Sequence, residues 1–254
     1  MISFASLGSG SEGNSFLIKK GKTILMIDSG FNQKETYSRL EKISVKPEEI
    51  TAILISHEHE DHIRSASKLS KTHNIPIYCS YGTSKKLRGD ETINLITKHD
   101  FDISELIVTP VFTQHDANEA CQFVITDKVH RIGILTDTGK ISNEIRKKYT
   151  RLDFFVIEAN HDERLLKDSE YPQVLKNRIL GNFGHLSNKQ TCEFLSEFKN
   201  AKNTKIIFCH MSKNTNSKNK IEYALEEFNI KDFFEFDYIE QDQVYSWRTI
   251  KDNN

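Results

Sequence analysis

The most constraining feature of this chain is a cluster of metal-type side chains directly after an apolar segment. The segment at 51–55, Thr-Ala-Ile-Leu-Ile, has the composition of a buried β-strand. It leads into His57, His59, Asp61 and His62. Imidazole and carboxylate side chains this close together favour a bound zinc, manganese or iron ion. The pattern is typical of a metal-assisted hydrolase, and the alternative is the solvated, charged start of a helix.

Length and composition indicate an ordinary globular protein. The chain has 254 residues, of which 37% are hydrophobic and 28% charged, so it can bury a substantial core. We find no repeat, low-complexity tract or Pro/Gly-rich linker, and we expect a single domain over 1–254. The formal net charge of −1 argues against a generally basic coat for nucleic acid, although a local basic groove remains compatible with it.

Cysteine usage and the N-terminal sequence indicate a cellular compartment. Four scattered cysteines form no C-x-x-C pair, which favours free thiols in a reducing cytoplasm. The first residues lack the pattern of a secretion signal, and no apolar run approaches membrane-spanning length. We therefore expect a cytoplasmic protein with no membrane role.

Short apolar runs alternate with amphipathic stretches along the chain. Strands are predicted at 2–6, 15–19, 23–28, 50–56, 75–79, 106–114, 122–126, 131–137, 153–158 and 205–210, with one or two more at 234–248. Helices are predicted at 33–42, 61–72, 170–180, 187–199 and 215–229. This order favours an α/β sandwich with sheets inside and helices on the outer faces.

The glycine-rich string at 8–13 fits the spacing G-x-G-x-x-G of dinucleotide-binding loops. That motif requires a following helix, whose N-terminus holds the pyrophosphate. Here Ser-Phe-Leu-Ile at 15–18 predicts a strand instead. We therefore expect a turn near the metal-type residues and no nucleotide cofactor.

The string H-x-H-x-D-H at 57–62 resembles the signature of the metallo-β-lactamase fold superfamily. Four further residues follow in the order of that superfamily: Asp28, His115, Asp137 and His210. Taken singly, each has a structural alternative as a turn or loop residue. The resemblance implies an αββα sandwich, with two mixed β-sheets flanked by helices.

Within that superfamily the chain is similar to the YycJ family of hydrolases, also called WalJ or VicX. The similarity is carried by the stretches at 6–14, 157–162, 184–188 and 210–216, and it covers essentially the whole chain. The last three stretches also resemble segments of the ribonuclease Z group. In that group a histidine before the penultimate helix assists catalysis, which implies a position for His185 near the leaving group.

The resemblance also implies a site with two divalent metal ions, zinc or manganese, with iron equally compatible. Its ligands would be His57, His59, Asp61, His62, His115, Asp137 and His210, with Asp137 bridging both ions. Catalytic roles are implied for Asp61, for His185 as general acid and for Asp28, which steadies the metal ligands from behind. Substrate-binding positions are implied at His161, Ser187, Asn188, Ser212 and Asn214, with a strand-ending role as the alternative for His161.

The YycJ-like stretches imply a DNA exonuclease that acts from the 5′ end in DNA repair. Lys213, Lys218 and Lys220 could meet backbone phosphates, as could a second basic spot at 85–88, and the alternative for both is a solvated surface. A small-molecule phosphodiesterase, a β-lactam or thioester hydrolase and a non-enzymatic metal-binding regulator are the other possibilities. The sequence leaves the oligomeric state open.

Overall fold

Two seven-stranded mixed sheets form the interior of the molecule in the computed structural model, which describes residues 1–87, 92–198 and 204–250. The strands are β1 (Ile2–Gly8), β2 (Ser15–Lys20), β3 (Thr23–Ile27), β4 (Ala52–Ile55), β5 (Ile77–Cys79), β6 (Ile93–Leu95), β7 (Phe101–Ile103), β8 (Leu106–Phe112), β9 (Cys121–Thr126), β10 (Arg131–Leu135), β11 (Phe154–Glu158), β12 (Lys205–Cys209), β13 (Glu235–Tyr238) and β14 (Tyr245–Ile250). The helices are α1 (Gln33–Lys42), α2 (Glu60–Ile63), α3 (Ala66–His73), α4 (Tyr81–Ser84), α5 (Asn143–Lys148), α6 (Glu163–Asp168), α7 (Gln173–Leu180), α8 (Asn188–Ser196) and α9 (Lys218–Glu227).

In each sheet, three neighbouring strand pairs are antiparallel and the other three are parallel. The first has the order β14-β1-β2-β3-β4-β5-β6 and the second the order β13-β12-β11-β10-β9-β8-β7. In the first sheet the pairs from β14 to β3 are antiparallel and those from β3 to β6 are parallel. In the second, the pairs from β13 to β10 are parallel and those from β10 to β7 are antiparallel. Both sheets are therefore mixed.

Alternation along the strands directs one set of side chains between the sheets and the other toward the helices. Phe4, Phe16 and Leu54 of the first sheet meet Phe123 and Val156 of the second in the central core. On the outer faces, the first sheet packs against α1 and α3, and the second packs against α5, α8 and α9. This arrangement is an αββα sandwich, so the predicted fold class is confirmed.

A buried polar contact ties the two sheets together at the turn end of the β2–β3 hairpin. The ammonium of Lys20, at the end of β2, contacts the carboxylate of Asp127 in the turn between β9 and β10. Burial alone would raise the pKa of Asp127, but the hydrogen bonds from Lys20 and from the backbone N–H groups of His130 and Val129 hold it well below its usual value.

The single helix predicted at 61–72 is instead two helices, α2 and α3, separated near Ser65. The carbonyl of Asp61 accepts a hydrogen bond of 2.8 Å from the backbone N–H of Asn14, and the N–H of Ser65 donates to the carbonyl of Ser29 at 3.0 Å. The helical bond between Ser65 and Asp61 is thus replaced by two tertiary bonds. Sequence periodicity could not indicate this break, because its cause lies in distant segments.

Within the residues that the structure describes, no helix has both the length and the apolar character needed to cross a membrane.

Candidate metal centre and active-site cleft

The candidate site lies at one rim of the sandwich, where several strands of both sheets end. Asp28 follows β3, His57 comes two residues after β4, Asp137 two residues after β10, and His210 directly after β12. Parallel neighbours present their carboxyl ends at the same edge, so these side chains meet. The sequence positions are far apart, and the sheet topology brings them together.

Three of these strand-end residues have a left-handed backbone. The φ angles are 60° at Asp28, 52° at Asp137 and 51° at His210. This region is sparsely populated by residues other than glycine, and such conformations cluster at functional sites. The left-handed turn at each position ends the strand and lets the side chain join the cluster.

All seven predicted metal ligands lie in one cluster, in which His59 and Asp61 are partly buried and the other five are buried. His59 Nδ1 lies 3.1 Å from His57 Nε2 and 3.3 Å from His115 Nε2. On the other side, Asp61 Oδ2 lies 3.4 Å from His62 Nε2 and 3.8 Å from His210 Nε2. The structure therefore separates the ligands into two trios, one of three histidines and one of two histidines and an aspartate.

Asp137 lies between the two trios. Its Oδ1 is 3.5 Å from His210 Nε2 and 3.9 Å from His115 Nε2, and its Oδ2 is 3.3 Å from His62 Nε2. Burial alone would raise the pKa of Asp137, but His210 and His62 hold it well below its usual value. The carboxylate is thus ionised and faces both groups of imidazoles.

The chemistry of this cluster fits divalent metal ions. Asp137 Oδ2 and His210 Nε2 are buried and have no hydrogen-bond partner, although such groups normally have one. Burial, and then the neighbouring His62, lower the pKa of His57 well below its usual value, so its imidazole is neutral and has the form that binds a cation. Imidazole nitrogen and carboxylate oxygen are together suited to a metal such as zinc or manganese.

Asp28 orients one of the histidines from behind. Its Oδ2 lies 2.7 Å from Nδ1 of His62, while Oδ1 accepts a hydrogen bond of 2.8 Å from the backbone N–H of Ser56. With Nδ1 engaged, Nε2 of His62 faces Asp61 and Asp137. A carboxylate that fixes the ring of a metal-binding histidine is a common arrangement at metal sites.

Glu158 contacts the site, although our sequence reasoning did not single it out. It is fully buried at the end of β11, and its Oε1 accepts hydrogen bonds from the N–H groups of Thr138 at 3.0 Å and Leu186 at 3.1 Å. Its Oε2 lies 3.2 Å from Nδ1 of His185. The available signal was a carboxylate at the end of an apolar strand, a position that Asp28 also has.

The cleft above the cluster has a volume of about 280 Å³. His59, Asp61, Asp137, His185 and His210 form its floor, and α7 with the preceding Tyr171 forms a wall. The sequence predicted a helix at 170–180 without assigning it to the site, and no residue of α7 is buried.

The α7 wall is joined to the cluster through Asp116. Nε of Arg178 donates to Oδ2 of Asp116, whose Oδ1 lies 3.3 Å from Nε2 of His115. The segment after α7 is fixed as well, because the carbonyl of Gly184 lies 3.2 Å from His115 Nδ1. The cleft wall and the cluster are therefore parts of one hydrogen-bonded unit.

The predicted substrate-binding residues divide into two groups. Ser212 lines the cleft, and Nδ2 of Asn214 donates to the hydroxyl of Tyr171 at 2.9 Å. His161, Ser187 and Asn188 are buried and lie outside the lining of the cleft. For all five residues a substrate-binding role stays a prediction.

The buried residues of the second group have other partners. The hydroxyl of Ser187 caps α8 and donates to Glu163 at 3.0 Å, and Nδ2 of Asn188 donates to Asn216 at 2.8 Å. Nδ1 of His161 lies 3.3 Å from Oδ1 of Asn160, while its Nε2 has no partner.

The glycine-rich loop at 8–13 is followed by β2, so the expected strand is present. Oδ1 of Asn14 accepts hydrogen bonds from the hydroxyl of Ser9 at 2.7 Å and from the N–H of Gly10 at 3.0 Å. The hydroxyl of Ser9 in turn accepts a hydrogen bond of 3.0 Å from the N–H of His210. This loop thus supports the metal-binding residues from one side.

Comparison with known proteins gives consistent relationships. Residues 23–211 match the family model of the beta-lactamase superfamily domain. The chain is 33% identical over 226 residues to the exodeoxyribonuclease WalJ of Streptococcus pneumoniae, covering 85% of this chain and 83% of that protein. It is 26% identical over 251 residues to the exodeoxyribonuclease YycJ of Bacillus anthracis, covering 92% and 94%.

Among solved structures, the metallo-beta-lactamase fold protein YhfI of Bacillus subtilis superimposes with a TM-score of 0.72 at 17% identity. The superposition covers 96% of this chain and 98% of YhfI. At this identity the similarity shows a shared fold.

Proposed function

Since this chain belongs to the beta-lactamase superfamily, and within it to the family of the WalJ and YycJ exodeoxyribonucleases, we propose that it is a metal-dependent exodeoxyribonuclease. The observation that carries the proposal is the cluster of seven ligand-type side chains, five of them buried, at the floor of a cleft that also exposes His185. The family supplies the substrate class, and the cluster supplies a site for the chemistry. Degradation from the 5′ end, a role in DNA repair and a cytoplasmic location belong to the same proposal, the last supported by four buried free thiols.

Two divalent ions, zinc or manganese, would be held by the two trios. His57, His59 and His115 would bind one ion, and Asp61, His62 and His210 the other, with Asp137 as a ligand to both. When bound, such ions polarise a phosphoryl oxygen and make water more acidic at neutral pH. The protein contributes the placement of the ligands, which Asp28 and the Ser9–Asn14 loop fix from behind.

His185 donates a proton to the departing oxygen when the phosphodiester bond breaks. Its Nδ1 faces Glu158, which leaves Nε2 as the atom that exchanges a proton with substrate. The oxygen of a water molecule forms the new bond to phosphorus. The proton that this water loses replaces the one that His185 gave to the departing oxygen. Glu158 fixes the orientation of the ring, so it acts through His185 and does not touch substrate.

The proposal is tested by degradation of 5′-phosphorylated single- and double-stranded DNA with manganese or zinc. We expect a ladder of shortened products from the wild type and none from Asp61→Ala. Intact DNA with both metals, under conditions where the wild type retains its fold and metal, would contradict the nuclease assignment.

The small cleft favours one alternative. A volume of about 280 Å³ leaves little room beyond the end of a strand, so a small phosphodiester is the second candidate substrate. Turnover of bis-p-nitrophenyl phosphate together with intact DNA would select this alternative and keep the same site.

A further inference from the structure

A groove lined by positive charge lies directly beside the metal-binding motif. It has a volume of about 550 Å³, and its lining includes Arg64, Lys68, Lys71 and Lys86 together with a single carboxylate, that of Glu60. The chain as a whole has a formal net charge of −1, so this concentration of cations is local.

The cations of this groove differ from the lysines elsewhere that the sequence suggested for phosphate binding. Lys213 lies 2.9 Å from Asp242, Lys218 pairs with Glu240, and Lys220 lies 3.9 Å from Asp162. Those charges are largely balanced by carboxylates, which weakens their attraction for a polyanion. They are therefore poorer candidates for phosphate contacts than the sequence indicated.

Two lysines of the groove carry unbalanced charge. In the part of the chain that the structure describes, neither Lys68 nor Lys86 has a carboxylate within ion-pair distance, and both are exposed. Arg64 donates to the backbone carbonyl of Glu12 at 3.2 Å, an interaction that leaves its charge uncompensated. Of the other two members of the predicted basic spot, Lys85 lies with its Nζ 4.4 Å from the ring centroid of Tyr81, and Arg88 lies outside the described residues.

The groove and the cleft share one short helix. Glu60 lines the groove and Asp61, the next residue, lines the cleft. The helix α2 therefore borders both depressions. A DNA strand that enters the cleft past α2 would continue into the groove, which is the path that the proposal requires.

We propose that this groove binds the backbone phosphates of the DNA strand whose end lies in the cleft. The inference rests on the proposed nuclease function and names the surface that holds the rest of the substrate. Unpaired lysines attract phosphates without reading the bases, so the groove gives affinity without sequence preference. A small phosphodiester has no neighbouring phosphates and gains nothing from it.

The test compares Lys68→Gln/Lys86→Gln with the wild type. A matched control, Lys22→Gln/Lys147→Gln, removes two exposed lysines that also lack an ion-pair partner among the described residues and lie in the β2–β3 turn and on α5. Binding is measured on the metal-loaded protein by fluorescence anisotropy with a phosphorothioate-linked DNA duplex, which resists hydrolysis. Turnover of bis-p-nitrophenyl phosphate is measured in parallel.

We expect the affinity of the groove variant for DNA to be lower than that of the wild type by a factor of about ten or more. The slope of log affinity against log salt concentration should be less steep by about two. The control variant and the turnover of the small ester should match the wild type. An unchanged salt slope in the groove variant, or an equal loss in both variants, would overturn the proposal.

A different result would contradict the nuclease function: the wild type would bind the duplex but would not shorten ordinary DNA. If the wild type does not bind the duplex at low salt, the groove proposal is wrong regardless of the reaction.

Discussion

Glu158 Oε2 lies 3.2 Å from Nδ1 of His185, at the border between the metal cluster and the cleft. The other oxygen of the same carboxylate is held by two backbone N–H groups, from Thr138 and Leu186. Both oxygens of Glu158 are thus engaged, and the carboxylate fixes the position of the His185 ring. The pair links the end of β11 to the segment that precedes α8.

His185→Ala should lower the rate of the chemical step about 10²–10⁴-fold, because it removes the proton donor. Glu158→Gln should lower it by a smaller factor, since the ring remains but its orientation is less well fixed. Single-turnover rates and metal content measure this, with the exposed His99→Ala as control. Loss of metal in His185→Ala would instead make His185 a ligand, as its proximity to Asp137 and His210 allows.

Asp61→Ala and Asp137→Ala should each abolish hydrolysis, with a loss of at least about 100-fold, while the fold is retained. Asp137→Ala should also lower the metal content, because this carboxylate faces both trios. Elemental analysis, circular dichroism and turnover are measured together, with the exposed Asp102→Ala as a matched loss of charge. Retained turnover in both site variants would place the reaction elsewhere.

Gly30→Ala should displace the metal-binding motif. A Cβ atom at Gly30 would overlap the backbone carbonyl of Asp61, which cannot yield as a flexible side chain would. We expect a loss of stability of about 1–3 kcal/mol and a lower metal content. Gly21→Ala is the control for a loss of stability remote from the site: its φ of 54° makes alanine strained, but its Cβ meets only a side-chain oxygen at 3.4 Å in the β2–β3 turn, so its metal content should be unchanged. Normal metal content in Gly30→Ala would show that the motif tolerates the shift.

Removal of bound metal should lower the thermal stability of the protein. A metal ion at about 100 times its Kd adds about 2.7 kcal/mol to the free energy of unfolding. For a chain of this size that corresponds to a rise in Tm of roughly 5–10 °C. Differential scanning calorimetry with and without a chelator measures the shift, which should be smaller in Asp137→Ala. Equal Tm values for the stripped and loaded wild type would contradict metal binding by the folded state.

Asp127→Asn should destabilise the protein at neutral pH without affecting hydrolysis, since Asp127 joins the two sheets through Lys20. The pKa of Asp127 is depressed in the folded state, so its contribution is complete above the unfolded value of about 3.9. It is lost as the pH falls further through the folded pKa. Urea unfolding from pH 7 downward should therefore show the difference between wild type and variant narrowing below about pH 4. A difference independent of pH would assign the effect to packing.

The ligand-type residues of the site could be predicted because the string H-x-H-x-D-H at 57–62 and the order of Asp28, His115, Asp137 and His210 resemble the metallo-β-lactamase superfamily. The ends of β3, β4, β10 and β12 support that prediction, since they indicate a shared rim. Glu158 also ends a strand, but no motif that we considered assigns a role to that position. Its role depends on contacts with Thr138 and Leu186, which only the tertiary structure provides.

The cleft wall and the charged groove could not be predicted for a different reason. Tyr171 and Arg178 belong to the helix predicted at 170–180, but no residue of α7 is buried, so no apolar face indicated which side of the helix meets the cleft. Lys68 and Lys86 are separated in sequence, and they stand out only because nearby carboxylates are lacking in the described structure. Charge balance is a property of the folded surface, so a count of lysines along the chain does not show it.

The left-handed backbone at Asp28, Asp137 and His210 has a consequence for directed evolution. Each such conformation costs about 1–3 kcal/mol, and glycine at these positions would remove most of that cost. A library selected only for the heat tolerance of metal-free protein would therefore accumulate glycine at three residues of the candidate metal centre. Selection for a more durable form of this protein has to be coupled to turnover, or the survivors will be stable and inactive.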